Sequence, residues 1–332
     1  LYASTFLHSL LELILFFYLR PKLVLMPNRQ HYHMQILILI RVFLSWIPHD
    51  PRSQFSIFLL SFTEPILGPI RNNINEIGIP VEQSNPEYAE GQVEVNIRYD
   101  EALLAADRVV TFRNVVKQLA FKHGYKATFM AKPFFEQSGS GFHCHYSLWK
   151  NGKNIFADNG GLSKDGKHFV GGLQKRMAEA AICGSATVNG FRRRQPYTFC
   201  PINTAWGIDN RTVGIRIIQG SDSATRVEKR DAGADCNPYL LMATDIAAGL
   251  DGLEGKIEPD EMTTGNAYES EVASSIPTDL RDAIDLARNS DWLKEVIGTD
   301  LYEIALQQSE RELDFFNQQV TPFELERYRD VF

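Results

Sequence analysis

Two histidines stand one residue apart in GSGFHCHYSLW, residues 139–149. On a strand, alternation puts His143, His145, Ser147 and Trp149 on one face and Cys144, Tyr146 and Leu148 on the other. One face then carries groups able to ligate a metal or hold a phosphate. Other short segments gather charge in the same way. In NPEYAEGQVE, Glu87 precedes a turn and Glu94 starts a strand, and in RVEKR the residues Arg226, Glu228 and Arg230 share a face opposite Val227. Carboxylates with a single imidazole suit magnesium or manganese better than zinc. Arg193, Arg211, Arg216, Arg226 and Arg230 add forks for phosphate and carboxylate. Ion pairs on exposed strand faces would explain any one of these pairs without a function. Spacing alone leaves two chemistries open: metal-dependent phosphoryl transfer, and a hydrolase that uses His143 and His145 together as metal ligands.

The elements that must position these groups are legible from about residue 64 onward. QVEVNIRY alternates Val93, Val95 and Ile97 against Glu94, Asn96 and Arg98, the pattern of a half-buried strand. The next segment has an apolar stripe at Ala105, Val109, Phe112, Val116 and Leu119, with Asp100 as the expected cap and Gly124 as the stop, and this predicts an amphipathic helix. Strands are expected over 143–149, 212–218 and 225–230. A helix is expected to open at Asn237 with Pro238 in its first turn, and the chain from Thr278 onward reads as mostly helical. Strands interspersed with helices give an α+β class.

The chain has 332 residues, 44% of them hydrophobic and 23% charged, with net charge −7. That length suggests roughly two domains of ordinary size. The charge favours neither nucleic acid nor an acidic surface as partner, so an anionic ligand must meet a local basic pocket. Four scattered cysteines without a C-x-x-C pair argue against a zinc ribbon and a disulfide framework, and point to a cytoplasmic, reducing location. Residues 1–63 differ in texture: two acidic residues stand against five basic ones among apolar runs such as LILFFYL and MQILILI. No run approaches the ~20 apolar residues of a membrane helix, so the segment reads as strand-like core material with no membrane role.

With these residues assembled, the chain resembles the catalytic region of the glutamine synthetase family. The matching segments run in order: GIPVEQSNPEYAEGQVEVNIRYDEALLAADRV, ATFMAKPFFEQSGSGFHCHYSLW, NGGLS, DNRTVGIRI, RVEKRDAGADCNPYLLMATDIAAGLDGL and VTPFELERYRDVF. They cover roughly residues 64–332, and an ordered series is far more specific than a lone motif. The resemblance implies a curved, largely antiparallel sheet with flanking helices. It implies an ATP-dependent ligase that makes γ-glutamyl phosphate from glutamate, which ammonia or an organic amine then attacks, with two divalent ions, Mg2+ or Mn2+, as cofactors. By motif position Glu87 and Glu94 correspond to ligands of one ion, and His143 and Glu228 to ligands of the other. His145, Ser147, Arg211, Arg216 and Arg226 correspond to nucleotide and phosphate contacts. Gly139, Arg193 and Arg230 correspond to glutamate contacts, with Arg211 and Arg230 in the catalytic set. A homo-oligomer is the implied assembly.

Three departures bear on that expectation. The family's first catalytic strand carries two alternating glutamates as metal ligands. The equivalent stretch here is read as LELILFF, with Leu13 and Leu15 at those places and Glu12 out of phase. Residues 1–63 are accordingly read as degraded first strands of the catalytic domain, which occupies 64–332. Phe199 stands where ammonia-using members keep a glutamate, and Ser138 where they keep an asparagine; both shift the expected acceptor toward an organic amine, as in γ-glutamyl-amine ligases. The small amino-terminal β-grasp domain that completes a neighbouring subunit's site is read as missing. Tyr268 falls near a tyrosine that some bacterial members adenylylate, though a plain surface tyrosine is expected. A non-catalytic or damaged homologue is the rival reading, and the H-x-H hydrolase the third.

Overall fold

In the computed structural model the described residues are 32–44, 57–89 and 91–332. Leu13, Leu15 and Glu12 lie outside them. A sheet of nine strands organises the rest. Its seven longer strands are β1 (Tyr32–Leu44), β2 (Val81–Pro86), β3 (Gln92–Glu101), β4 (Gly141–Lys150), β5 (Trp206–Ile208), β6 (Ile215–Ile218) and β7 (Arg226–Gly233). Their order is β2-β3-β1-β4-β7-β6-β5. Every neighbouring pair on this path is antiparallel except β5 with β6.

The helices are α1 (Ile57–Glu76), α2 (Ala102–Lys122), α3 (Lys164–Arg176), α4 (Ala181–Gly184), α5 (Val188–Arg192) and α6 (Pro238–Gly255), followed by α7 (Leu280–Arg288), α8 (Asp291–Ile297), α9 (Thr299–Asn317) and α10 (Pro322–Tyr328). The helical reading of the chain after Thr278 therefore holds. Alternation on β4 is the device that separates core from site: Cys144, Tyr146 and Leu148 join the buried core with Phe169 of α3 and Ala243 and Ile246 of α6, while His143 and His145 face the other way, toward Glu228 of β7. The stripe of α2 is buried at Ala105, Val109, Phe112 and Val116 as expected. Asn237 caps α6, accepting from the backbone N–H of Tyr239 and Leu240.

Two expectations need correction. Asp100 does not cap α2: it is the penultimate residue of β3, and its carboxylate accepts from Arg108 Nη1 at 2.6 Å. The strand ladder outcompetes the cap because β3 pairs with β1 as far as Glu101. The strand expected over 212–218 is only Ile215–Ile218, since Asn210 and Thr212 close a side-chain-bonded turn before it.

Glycines bring α3 and α6 together at unusually short range. A Cβ on Gly172 would come within 2.0 Å of the Ala248 carbonyl oxygen, and one on Gly252 within 2.1 Å of the His168 carbonyl oxygen. With no side chain between them, the two backbones form the floor beneath β4 and β7. Gly172→Ala is expected to lower stability by about 3 kcal/mol, the upper part of the usual overpacking range, read as a fall in the urea midpoint with an unchanged slope.

Candidate active site

The strand register assembles the charged face. Arg216 of β6 lies opposite Glu228 of β7, and Glu228 opposite His145 of β4. At its centre is the Glu228 carboxylate, whose side chain is 0% exposed. Its Oε1 lies 2.7 Å from Arg230 Nη1, 3.2 Å from His143 Nδ1 and 3.7 Å from His145 Nε2, and its Oε2 lies 3.3 Å from Arg216 Nη1. Burial alone would raise this carboxyl. Arg230, His145 and His143 overturn that and hold it well below the ordinary carboxylate range.

His145 is pushed down to about 4, first by burial and then by Arg226, Arg216 and Arg230, against the pull of Glu228. The ring is therefore neutral near pH 7. Arg226 Nε donates to its Nδ1 at 3.2 Å, which leaves the proton on Nε2. That buried Nε2 has no hydrogen-bond partner among the described residues. A polar atom so placed can donate to a ligand oxygen.

The remaining residues singled out in the sequence are placed as follows. Glu94 is buried on β3, and Glu87 lies just past β2, where its carboxylate accepts from the Tyr88 N–H at 3.2 Å. Ser147 lies two residues along the same face of β4 and accepts from Trp149 Nε1 at 3.0 Å. Arg216 also pairs with Asp209 at 3.1 Å. Arg211 is exposed, and its carbonyl accepts from Arg230 Nη2 at 3.2 Å. The Phe199 carbonyl accepts from the same nitrogen at 3.5 Å.

Arg193 is committed to the protein backbone: its Nη2 donates to the carbonyls of Arg230, Asp231 and Ala232 at 3.3, 2.6 and 2.7 Å. Gly139 makes room for it, since a Cβ there would meet Arg193 Cγ and the Ala131 carbonyl, each at 2.5 Å.

Sequence reasoning missed an aromatic group at the edge of this face. Tyr88, 52% exposed, meets Phe199, 43% exposed, edge to face at 5.9 Å between ring centres. Tyr197 packs against Tyr268 at 5.2 Å, so Tyr268 is half-buried in the wall of the loop and not the plain surface tyrosine expected. Tyr197 and Phe199 both hold positive φ, 63° and 59°, a strained state for aromatic residues that concentrates at functional sites. Single-sequence patterns carry no signal for left-handed aromatics, although Tyr88 could have been noticed beside Glu87.

β1 lies between β3 and β4, with Arg41 in register with Glu94 and Leu39 with His143. Its sequence, YHMQILILIRVFL, has no Asp or Glu. Among the described residues no three His, Cys, Asp or Glu side chains converge on a common cation position. The donors do fit a hard divalent ion in part: His143 and Glu228 form one ready pair, and the carboxylates of Glu87 and Glu94 lie on the other side of β1. Two protein donors a side suits magnesium, which keeps several waters.

Residues 26–328 match the family described as glutamine synthetase, catalytic domain. The chain is 37% identical over 289 residues to a glutamine synthetase of Thermotoga maritima, covering 84% of this chain and 66% of that protein. It is 37% identical over 283 residues to a glutamate–isopropylamine ligase of a Pseudomonas species, covering 83% and 62%. A γ-glutamylethanolamide synthetase of Streptomyces coelicolor is also 37% identical, over 274 residues, covering 82% and 59%. The match thus spans somewhat less than two thirds of these relatives. Among solved structures, a ligand-free GmaS superimposes with a TM-score of 0.84 at 28% identity, covering 98% of this chain and 76% of that one.

Glu228→Gln is expected to cost about 3–5 kcal/mol, because it leaves the buried Arg230 and the partly buried Arg216 beside a neutral amide. The sign with pH follows from the lowered carboxyl. The advantage of wild type over the variant is fully present above the ordinary carboxyl value of 4.5 and is lost as pH falls from there through the lower folded value. Urea unfolding at pH 7, 5 and 3 checks both statements.

Proposed function

The chain belongs to the glutamine synthetase family through its catalytic domain, and on that premise we propose that it is an ATP-dependent ligase joining the γ-carboxylate of glutamate to an organic amine. The carboxylate oxygen attacks the γ-phosphorus of ATP, and ADP leaves. The amine nitrogen then attacks the acyl carbon of γ-glutamyl phosphate, inorganic phosphate leaves, and the nitrogen gives up a proton. In this reading the neutral His145 donates its free Nε2–H to a phosphate oxygen, Ser147 lies further along the same nucleotide groove, and Arg216 and Arg226 flank it with positive charge. Arg211 and Arg230 meet the charge that develops on the transferring phosphoryl group. Gly139 and Arg193 border the glutamate, with Arg193 acting through the carbonyls it holds.

Divalent ions would be held by His143 with Glu228 and by Glu87 with Glu94, and when bound they supply neutralisation of the crowded phosphate and carboxylate oxygens. We place the segment before residue 64 in the same domain in divergent form, supported by the pairing of Tyr32–Leu44 within the sheet; the strand-like expectation fails from Ile57 onward, where α1 begins and runs through residue 64. A homo-oligomer is the proposed assembly, on the strength of the family alone.

One observation carries the choice of amine over ammonia: the Phe199–Tyr88 pair beside Arg230. An aromatic wall cannot take a proton from ammonium, but it can hold the alkyl or aryl part of a larger amine. The rival reading, a homologue without activity, draws on the lack of any carboxylate in β1.

The test is release of phosphate from ATP with Mg2+ or Mn2+, glutamate and a panel of amines. Turnover is expected to depend on glutamate and to favour an alkyl- or arylamine over ammonia by about tenfold or more, as burial of two or three methylenes allows. Phe199→Ala should erase that preference through KM for the amine. No turnover with any acceptor supports the inactive homologue, and turnover without glutamate removes the ligase reading.

A further inference from the structure

The reverse face of β7 carries a cluster that the reaction does not use. Lys229 Nζ lies 2.7 Å from Asp231 Oδ1 and 2.9 Å from Asp245 Oδ1 on α6. Tyr146 donates its hydroxyl to Asp245 Oδ2 at 2.7 Å. Arg194 Nη2 lies 3.6 Å from Asp231 Oδ2, and its Nη1 donates to the Pro277 carbonyl at 2.7 Å. All five side chains are buried. Two cations and two carboxylates leave the cluster neutral, the condition under which buried charge is tolerable.

The cluster sits at an irregularity. Lys229 pairs with Cys144 on β4, but the next pairing is Ala232 with Phe142, so β7 has one residue too many between them. Such a bulge bends its strand and re-aims a side chain, and here the residues within it are Arg230 and Asp231. Consecutive arginines just past the end of α5 clamp it. Arg193 takes the carbonyls of residues 230, 231 and 232, and Arg194 takes the Asp231 carboxylate. Lys229 then ties the strand just before the bulge to α6.

The geometry points to Lys229, Asp231 and Asp245 as positioning residues: they fix the bulge that aims Arg230 at Glu228 and across the site. What Arg230 is aimed at rests on the ligase reading; the fixing of the bulge does not.

Removing Lys229 alone strands a buried carboxylate, so loss of activity in Lys229→Met would be ambiguous. Lys229→Met with Asp245→Asn removes one charge of each sign and keeps an acceptor for the Tyr146 hydroxyl. Three readouts on the full chain separate positioning from bulk stability: thermal unfolding, kcat with KM for ATP, and amide hydrogen exchange of the peptide spanning residues 226–236. The single variant should lose melting temperature, and the double variant should regain most of it. In the double variant kcat should stay about 10- to 100-fold down, the effect of small misplacements of reacting groups, with KM for ATP within about threefold. Amides 230–232 should exchange at least about tenfold faster than in wild type, a measure of local opening.

Wild-type kcat and protection in the double variant overturn the inference, as does activity that follows melting temperature in both variants. If wild type turns over no ATP with glutamate, the ligase reading falls, and exchange at 230–232 alone decides whether the cluster holds the bulge.

Discussion

Glu228 is a carboxylate without water, and the fold around it supplies what water would have given. Four positively charged or proton-bearing neighbours converge on two oxygens, from β4, β6 and β7 itself. Arg216 and His145 arrive by strand register, and Arg230 and His143 at the bulge beside it, so the charge balance and the sheet are one arrangement. Slipping β7 by a residue would turn Glu228 to the apolar side and bring Lys229 forward. The low ring pKa of His145 and the burial of Arg230 follow from the same concentration of charge.

What the sequence made legible was period and local chemistry. The two faces of β4, the common face of Arg226, Glu228 and Arg230, the stripe of α2 and the cap at Asn237 are properties of neighbouring residues, and all are found in the fold. Arg193 shows the limit. Its type suggested a carboxylate ligand, but its nitrogen is taken by carbonyls 37 to 39 positions away. The bulge that exposes those carbonyls has no signature in residue spacing. Lys229 and Asp231 gave no signal in the sequence, because their partner, Asp245, comes from a helix whose packing cannot be read locally. The left-handed state of Tyr197 and Phe199 was likewise invisible, since neither residue type favours it. Composition did separate residues 1–63 from the rest, yet alternation could not say which of its apolar runs would enter the sheet.

The proposed amine pocket and the proposed metal positions draw on opposite ends of the same face. At the Phe199 edge an aromatic pair leaves an open apolar contact. β1, the strand between Glu94 and His143, has no carboxylate in its sequence. In the proposed ligand pairs, two donors a side would put more of the coordination on nucleotide and substrate oxygens, so ion and substrate binding would depend on each other.

The glycine crossing of α3 and α6 has a mechanical consequence for everything in front of it. Where helices meet through side chains, a small displacement is absorbed by rotamers changing wells; where two backbones meet with no room for even a Cβ between them, that means of yielding is absent. α6 therefore behaves as a rigid anvil. A push on Asp245 is returned through Lys229 to the bent part of β7 undiminished, and the orientation of Arg230 inherits the stiffness of two backbones held in contact.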